Sequence, residues 1–278
     1  MSDWLHNLPL ISMALLVFSF AYLIAAVICV VVTALAEGER ARSFKAVSPG
    51  LLPPLGIIFG LFVAFTATQV WNDNEKAKTE IDREASALRS AVIVANSFPR
   101  ESEVQLRELI RRYITDVATQ EWSMMARRSA TLTAIPDALA QALQATLALV
   151  PDSEGQKTAQ REIVTALETA LDARRQRIVV SQSQVHLVKW SCLIMQALCV
   201  LIAIALVHSD SRLASSIAMG TYATGVAASM FLILAYDRPF IGEVSIKPDP
   251  LLQVTPSAPA PPPQQKTSTL NNVDATKL

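Results

Sequence analysis

Four long apolar runs, each without a single Asp, Glu, Lys or Arg, divide this chain. They cover residues 9–36, 51–71, 190–208 and 213–236. A helix rises about 1.5 Å per residue, so roughly 20 apolar residues span the hydrocarbon core of a bilayer, and each run is long enough. The runs are apolar on all sides, whereas a core helix of a soluble protein is apolar on one face. The pattern predicts an integral membrane protein with four transmembrane helices.

The polar segment between the second and third runs, residues 72–188, has helical periodicity. It begins without a break, because apolar residues continue at alternating spacings of four and three: Ile81, Ala85, Leu88, Val92 and Ala95. This spacing places one apolar stripe along a helix. We therefore expect the second membrane helix to leave the bilayer and to continue to about Phe98, with Pro99 ending it.

Three more helices are expected in the polar segment. Ser102 and Gln105 form a capping-box pattern that opens one helix, and Pro136 opens the next. The last is expected to run from about Glu154 directly into the third membrane segment at Trp190. No strand pattern occurs, so the predicted fold is all-α, with a helical extramembrane insertion in a four-helix membrane domain.

The expected organisation has four parts. Residues 1–71 hold the first transmembrane pair, 72–188 the helical region, 189–236 the second pair, and 237–278 an Asp-x-Pro-Phe-x-Gly block followed by a tail. From Pro248 the tail is rich in Pro, Ser, Gln and Thr, including three consecutive prolines at 261–263. Such a composition buries little apolar surface, so we expect the tail to be disordered.

Topology is predicted from the Lys and Arg residues beside the membrane ends. Four spans put both termini and the helical region on one side, which carries ten such residues against four on the other. This favours an inner-membrane protein with termini and helical region in the cytoplasm, although the first span alone disagrees. The ten are Lys76, Lys78, Arg83, Arg89, Arg174, Arg175, Arg177, Lys189, Arg238 and Lys247; the four are Arg40, Arg42, Lys45 and Arg212.

The second membrane run carries two patterns that could have a function. Small residues at four-residue spacing, Gly56, Gly60 and Ala64, form a flat face suited to close helix packing. The roughly opposite side carries a column of aromatic residues that could form a hydrophobic constriction or simply face lipid or another helix: Phe59, Phe62 and Phe65, with Gln69 one turn on. The fourth run repeats the small-residue packing pattern with Thr221, Gly225 and Ser229.

No pattern in the chain indicates catalysis. The three histidines are scattered, the three cysteines lie inside apolar runs, and no phosphate-binding glycine loop or nucleophile elbow occurs. Formal net charge is zero, which gives no field for nucleic acid. No Asp, Glu, Lys or Arg lies within a run, which disfavours ion-coupled carriers. We expect no enzyme, no cofactor and no bound metal, and lipid as the main partner.

Several blocks together resemble the bestrophin-like family of bacterial membrane proteins of unknown function, over roughly residues 50–250. The most specific block closes the last span: Asp237, Arg238, Pro239, Phe240, Ile241 and Gly242, with Val244 following. The others are Trp71-Asn72-Asp73 with Ala77 and Asp82-Arg83-Glu84-Ala85, then Glu121-Trp122, then Ala173-Arg174-Arg175-Gln176-Arg177.

This resemblance implies a four-helix membrane domain with a helical cytoplasmic insertion. More remotely it implies the bestrophin channels, which are ring-shaped homo-oligomers that conduct small inorganic ions through a neck of hydrophobic residues on the second membrane helix. On that basis Phe59, Phe62 and Phe65 become neck candidates. The alternative is a non-conducting scaffold or sensor, whose helical region binds a partner through the exposed faces of residues 102–127 and 136–150.

Overall fold

The computed structural model describes residues 3–36, 44, 49–133, 136–209 and 211–257. Over these residues the chain is helical and contains no β-strand, which confirms the all-α prediction. Arg40, Arg42 and Lys45, which entered the topology count, lie outside the described residues. So does the tail beyond residue 257.

Four helices have the length and apolar composition needed to cross a membrane. A single helical turn, α1 (Asp3–His6), precedes them. The four helices begin and end within a few residues of the four charge-free runs, except that the second continues well beyond the end of its run. They are α2 (Leu10–Leu35), α3 (Leu52–Val94), α8 (Leu187–Val207) and α9 (Arg212–Tyr236).

Helix α3 is continuous from the membrane into the extramembrane region, as the apolar spacing predicted. A 3₁₀ turn over Ala95–Ser97 follows it, and Phe98 adopts an extended conformation before Pro99. Its extramembrane half presents one buried stripe at alternating spacings of three and four: Ala77, Ile81, Glu84, Leu88, Ala91 and Ala95. Each fully buried Ile or Leu contributes roughly 1.5–3 kcal/mol relative to an exposed one, so this stripe anchors the insertion.

The helix after Pro99 begins earlier than the capping box predicted. Helix α4 covers Arg100–Asp116, and no side chain caps its first turn. Pro99, with φ −53° and ψ 146°, is the residue from which the helix starts. Glu101 and Glu103 lie in the first turn, where carboxylates interact favourably with the positive end of the helix dipole. The capping box at Ser102 was therefore wrong. A π-helical turn, Val117–Glu121, leads into the short α5 (Trp122–Ala126).

The prediction of one helix from Glu154 into the third span was also wrong. Helix α6 covers Asp137–Leu147, and α7 covers Glu154–Ser181, capped by Ser153, whose hydroxyl accepts from the Gln156 N–H at 3.2 Å. Between α7 and α8 the chain leaves the helix, because the Val185 N–H donates to the Asp237 carboxylate at 2.6 Å. A side chain from another segment thus takes a donor that a continuous helix would use internally.

The helices form two packed units joined by α3. In the membrane unit α8 and α9 contact each other, and both contact α2 on one side and α3 on the other. In the extramembrane unit the long pair of α3 and α7 is flanked by α4 and α6. Each unit has its own cluster of buried apolar side chains.

The beginning of the tail is ordered, contrary to the prediction of disorder from Pro248. Helix α10 covers Asp249–Gln253, and its Leu251 is fully buried against the extramembrane core beside α3 and α4. Val254 is partly buried against the same core, so Leu251 and Val254 together dock this helical turn.

Candidate functional site

A buried group of charged side chains lies in the extramembrane unit, where α3, α4, α7 and the π-helical turn meet. Glu84 enters it from the apolar stripe of α3 and is fully buried. Its Oε1 accepts a hydrogen bond from the Tyr113 hydroxyl at 2.5 Å. The carboxylate therefore occupies a position that the helical spacing would otherwise assign to a leucine.

Arg177 neutralises this carboxylate from the opposite helix, α7. Its Nε donates to Glu84 Oε2 at 2.8 Å and its Nη2 donates to Glu84 Oε1 at 3.1 Å. The same Nη2 donates to Glu121 Oε1 at 2.8 Å. Arg174, one turn earlier, holds Glu121 Oε2 through its Nε at 2.7 Å. Two guanidinium groups and two carboxylates thus form one chain of bonds.

Aromatic side chains cover this charge cluster. The Arg177 guanidinium lies 5.1 Å from the ring centre of Trp122, a distance typical of a cation–π contact. The ring of Phe240 meets Trp122 edge-on, with centroids 5.4 Å apart, and the Trp122 Nε1 donates to the Ile246 carbonyl at 3.0 Å. Trp122 therefore joins the cluster to the segment that follows the last span.

The electrostatics of the cluster shift the pKa values of Arg177 and Tyr113. Burial alone lowers the pKa of Arg177, but the negative charges of Glu84 and Glu121 outweigh burial, and the pKa lies above its ordinary value. Burial, followed by the charge of Glu84, raises the pKa of Tyr113 well above its ordinary value. Tyr113 thus remains a neutral donor, and Arg177 remains charged. This arrangement fixes the helices against one another and offers no poised acid or base.

Tyr113 was not among the site residues predicted from the sequence, and Arg177 was named only in the topology count and within the family block at residues 173–177. A signal for Arg177 existed, because Ile163, Ala170 and Arg177 follow at seven-residue spacing and all three are fully buried. A charged residue in line with an apolar stripe indicates a buried partner. Of the predicted motif residues, the structure brings Glu84, Glu121, Trp122, Arg174 and Phe240 together. Arg175 points away and is exposed.

The rest of the Asp237–Gly242 block holds the N-terminal segment at the membrane boundary. Asp237 Oδ2 lies 3.6 Å from Nε2 of the buried His6, and Glu243 accepts from the Leu10 N–H at 3.3 Å. Gly242 has φ +91°, and a Cβ there would come within 2.9 Å of the His6 carbonyl oxygen. Glycine is therefore required at this position. Pro239 is buried within the same block.

Trp71 and Asp73 lie near this boundary on α3. The Trp71 ring stacks on Tyr236 with centroids 5.9 Å apart, and Asn74 donates to the Tyr236 carbonyl at 2.7 Å. Burial raises the pKa of Asp73; Lys76 and Lys189 oppose this shift, and Asp237 adds to it. These contacts fix the end of α9 against α3 where both leave the membrane.

The structure separates the three phenylalanines of the second span. Phe59 is 7% exposed and packs against Tyr222 of α9, with ring centroids 5.9 Å apart. Phe62 is half-buried against the membrane core, and Phe65 is 66% exposed. Gln69 accepts a hydrogen bond from Lys189 of α8. Phe65 is thus the member of the predicted column on the open face of the bundle.

The small-residue faces make no close helix contact within the chain. A Cβ added at Gly56, Gly60 or Gly225 would find no atom within 4 Å. Ala64 and Thr221 are exposed, and Ser229 is half-buried, with its hydroxyl bonded to the Gly225 carbonyl. The predicted packing at these faces therefore has no partner helix among the described residues.

Within the described ranges no group of His, Cys, Asp and Glu side chains could hold a metal ion. Comparison with known proteins gives one family: a model of the Bestrophin-like domain matches residues 4–251 of the chain. No curated protein and no solved structure matches significantly.

Proposed function

The chain belongs to the bestrophin-like family, and from this membership, its four membrane helices and the open face of α3 we propose that it is a homo-oligomeric ion channel with a hydrophobic neck. Lipid surrounds the assembly, and small inorganic ions are the permeating species. Conduction by neck dewetting needs no charged residue inside the membrane, and the four apolar runs contain no Asp, Glu, Lys or Arg.

The open face of α3 is the observation that carries this proposal. Ile57, Leu61 and Phe65 follow at four-residue spacing and are 69, 54 and 66% exposed. Side chains four residues apart are neighbours on a helix surface, so these three form an apolar row along α3. Around a symmetry axis, such a row gives stacked apolar rings. Phe65 is the neck residue that this row shares with the sequence prediction.

The unpacked glycine faces support assembly of several copies. Gly56 and Gly60 on α3 and Gly225 on α9 offer places where another helix can approach the backbone closely. Close van der Waals packing is what drives helix association in lipid, because lipid tails are as apolar as the side chains. We expect helices of a neighbouring copy to occupy these faces.

Flux through liposomes tests conduction. Full-length protein reconstituted into liposomes is expected to pass chloride or monovalent cations above the background of empty liposomes. Phe65→Ala should change the rate, and Phe62→Ala should change it less, because Phe62 is half-buried. Phe20→Ala is the matched control, since Phe20 is a 56% exposed phenylalanine on α2.

A monomer whose liposomes are tight to both chloride and monovalent cations would contradict the channel. That result would support the alternative of a non-conducting scaffold or sensor. Crosslinking through the extramembrane helices should then recover a specific partner. Equal changes in flux for Phe20→Ala and Phe65→Ala would contradict the assignment of the neck to α3.

The cytoplasmic position of the helical region and the inner-membrane location belong to the same proposal, supported by the excess of Lys and Arg on that side. Single cysteines at Ser90 and Arg212, both exposed, in a background without native cysteines, test the orientation. A membrane-impermeant maleimide applied to intact cells should label Arg212→Cys and leave Ser90→Cys unlabelled. The reverse labelling would invert the topology.

A further inference from the structure

A cleft of about 220 Å³ opens beside the buried ion-pair cluster. Residues from α4, the π-helical turn, α6 and α7 line it. Two members of the cluster, Glu121 and Arg174, form part of its wall. The π-helical turn contributes Val117, Gln120 and Glu121, and such single-turn distortions occur frequently at functional sites. The cleft is large enough for a small solute.

Arg174 presents donors to this cleft. The residue is 5% exposed, and its Nε and Nη2 both bind Glu121 Oε2, at 2.7 and 2.5 Å. Among the described residues, Arg174 Nη1 has no hydrogen-bond acceptor. This nitrogen is not fully enclosed by protein, so a solute can reach it. Arg174 lines the cleft, so a solute bound there lies beside this side chain. A guanidinium edge is a good binding surface for a carboxylate.

Charges of both signs surround the same opening. Arg112, Asp116 and Asp137 line it, and none of them forms an ion pair with another described residue. Glu121 is already neutralised by two guanidinium groups. A simple anion in the cleft would meet two uncompensated carboxylates, and a simple cation would meet two guanidinium groups. A molecule with one charge of each sign satisfies both sets.

We propose that this cleft binds a small zwitterion of the amino-acid type. Its carboxylate is held by Arg174 and Arg112, and its ammonium group by Asp116 and Asp137. The apolar side chains of Val117 and Met124 in the wall accommodate a short aliphatic side chain of the ligand. Binding at this site does not depend on whether the membrane domain conducts ions.

A chain of bonds connects the wall of the cleft to the membrane helix α3. Glu121 bonds to Arg174 in the wall and to Arg177 behind it, and Arg177 bonds to Glu84 on α3.

Thermal unfolding of the full-length protein in lipid nanodiscs tests the proposal. The probes are the standard amino acids, each alone at millimolar concentration, with acetate and methylammonium as the two half-ligands. At least one amino acid should raise Tm in a saturable way, since a ligand that binds the folded state stabilises it by mass action. Acetate and methylammonium at the same concentration should give no comparable shift.

Two exposed variants, Arg112→Gln and Asp116→Asn, each remove one charge at the opening without touching the buried cluster. Each should weaken the effective affinity of the active amino acid by about tenfold, the loss of roughly 1.4 kcal/mol of charge-assisted bonding. Arg161→Gln, an exposed arginine elsewhere on α7, is the matched control and should keep wild-type affinity. The proposal is overturned if no amino acid shifts Tm, if acetate alone shifts it equally, or if both opening variants respond like wild type.

Discussion

The two halves of α3 differ in what the rest of the chain does for them. The extramembrane half buries a regular stripe, from Ala77 to Ala95, against α7 and its neighbours. Both carboxylate oxygens of Glu84, the charged member of this stripe, accept hydrogen bonds. In the membrane half, only 11% of the residues in its most apolar 18-residue stretch are buried. Phe59, Thr66 and Val70 contact the bundle, while the opposite face is open.

This difference shows that one copy of the chain completes the extramembrane unit but leaves the membrane unit with uncovered faces. Exposing so much apolar surface to water would be unfavourable, whereas contact with lipid or with another apolar helix is not. The extramembrane half thus has the properties of a finished core, and the membrane half those of a surface that lipid and neighbouring copies cover. Substitutions on the two halves should separate these roles.

The largest effect is expected from removing the arginine of the buried cluster. Arg177→Ala leaves the fully buried Glu84 without a cationic partner, while Glu121 keeps Arg174, and breaking a buried ion pair from one side costs about 3–5 kcal/mol. Thermal unfolding in detergent should show a large loss of stability or no folded protein. Arg83→Ala is the matched control: Arg83 pairs with Asp172 at the surface, where such pairs contribute about 0–1 kcal/mol. Equal losses for both variants would contradict a structural role for the cluster.

The next effect distinguishes two phenylalanines of the same span. Phe59→Ala should destabilise the monomer by about 3 kcal/mol, because it opens a cavity against Tyr222. Phe65→Ala should leave the monomer's stability close to wild type, because its side chain touches little in the chain. Unfolding curves of both variants check this, and a greater loss for Phe65→Ala would place that residue inside a packed contact.

Enlarging a small residue should have opposite consequences on the two halves. Ala77→Leu overpacks a site with no exposed surface and should cost about 1–3 kcal/mol of monomer stability. A Cβ at residue 60 meets no other atom of the chain, so Gly60→Leu should leave each copy folded. The larger side chain should instead weaken the contact between copies and lower the number of copies in the assembly. Mass measurement in nanodiscs checks the second variant. An unchanged oligomer in Gly60→Leu would remove this face from the subunit contact.

The smallest effect concerns Asp73 at the membrane boundary. Burial raises its pKa, so the folded protein holds this proton more tightly than the unfolded chain does. The stability from this group is therefore present below about pH 4 and lost as the pH rises through the folded pKa. Asp73→Asn stays neutral, so its Tm should exceed that of wild type at pH 7 and converge with it near pH 4. Asp82→Asn, exposed on the same helix, is the control, and an equal gain there would remove burial as the cause.

The spans and the long α3 were predictable because a charge-free run and a continuous stripe are local patterns. The break at Val185 was not, because its cause is the carboxylate of Asp237, which lies 52 residues away. The ordered turn at Leu251 likewise depends on a cavity formed by distant helices. The family motifs named several members of the buried cluster, but their convergence on Arg177 and Tyr113 follows from the tertiary packing of four separate segments.

Imaging of single particles of the full-length protein in lipid nanodiscs tests the central claim most directly. The account predicts a symmetric ring of identical copies in which the row of Ile57, Leu61 and Phe65 faces an axial opening and the glycine faces of α3 and α9 contact neighbouring helices. Monomeric particles, or a ring in which this row of α3 faces lipid, would contradict it.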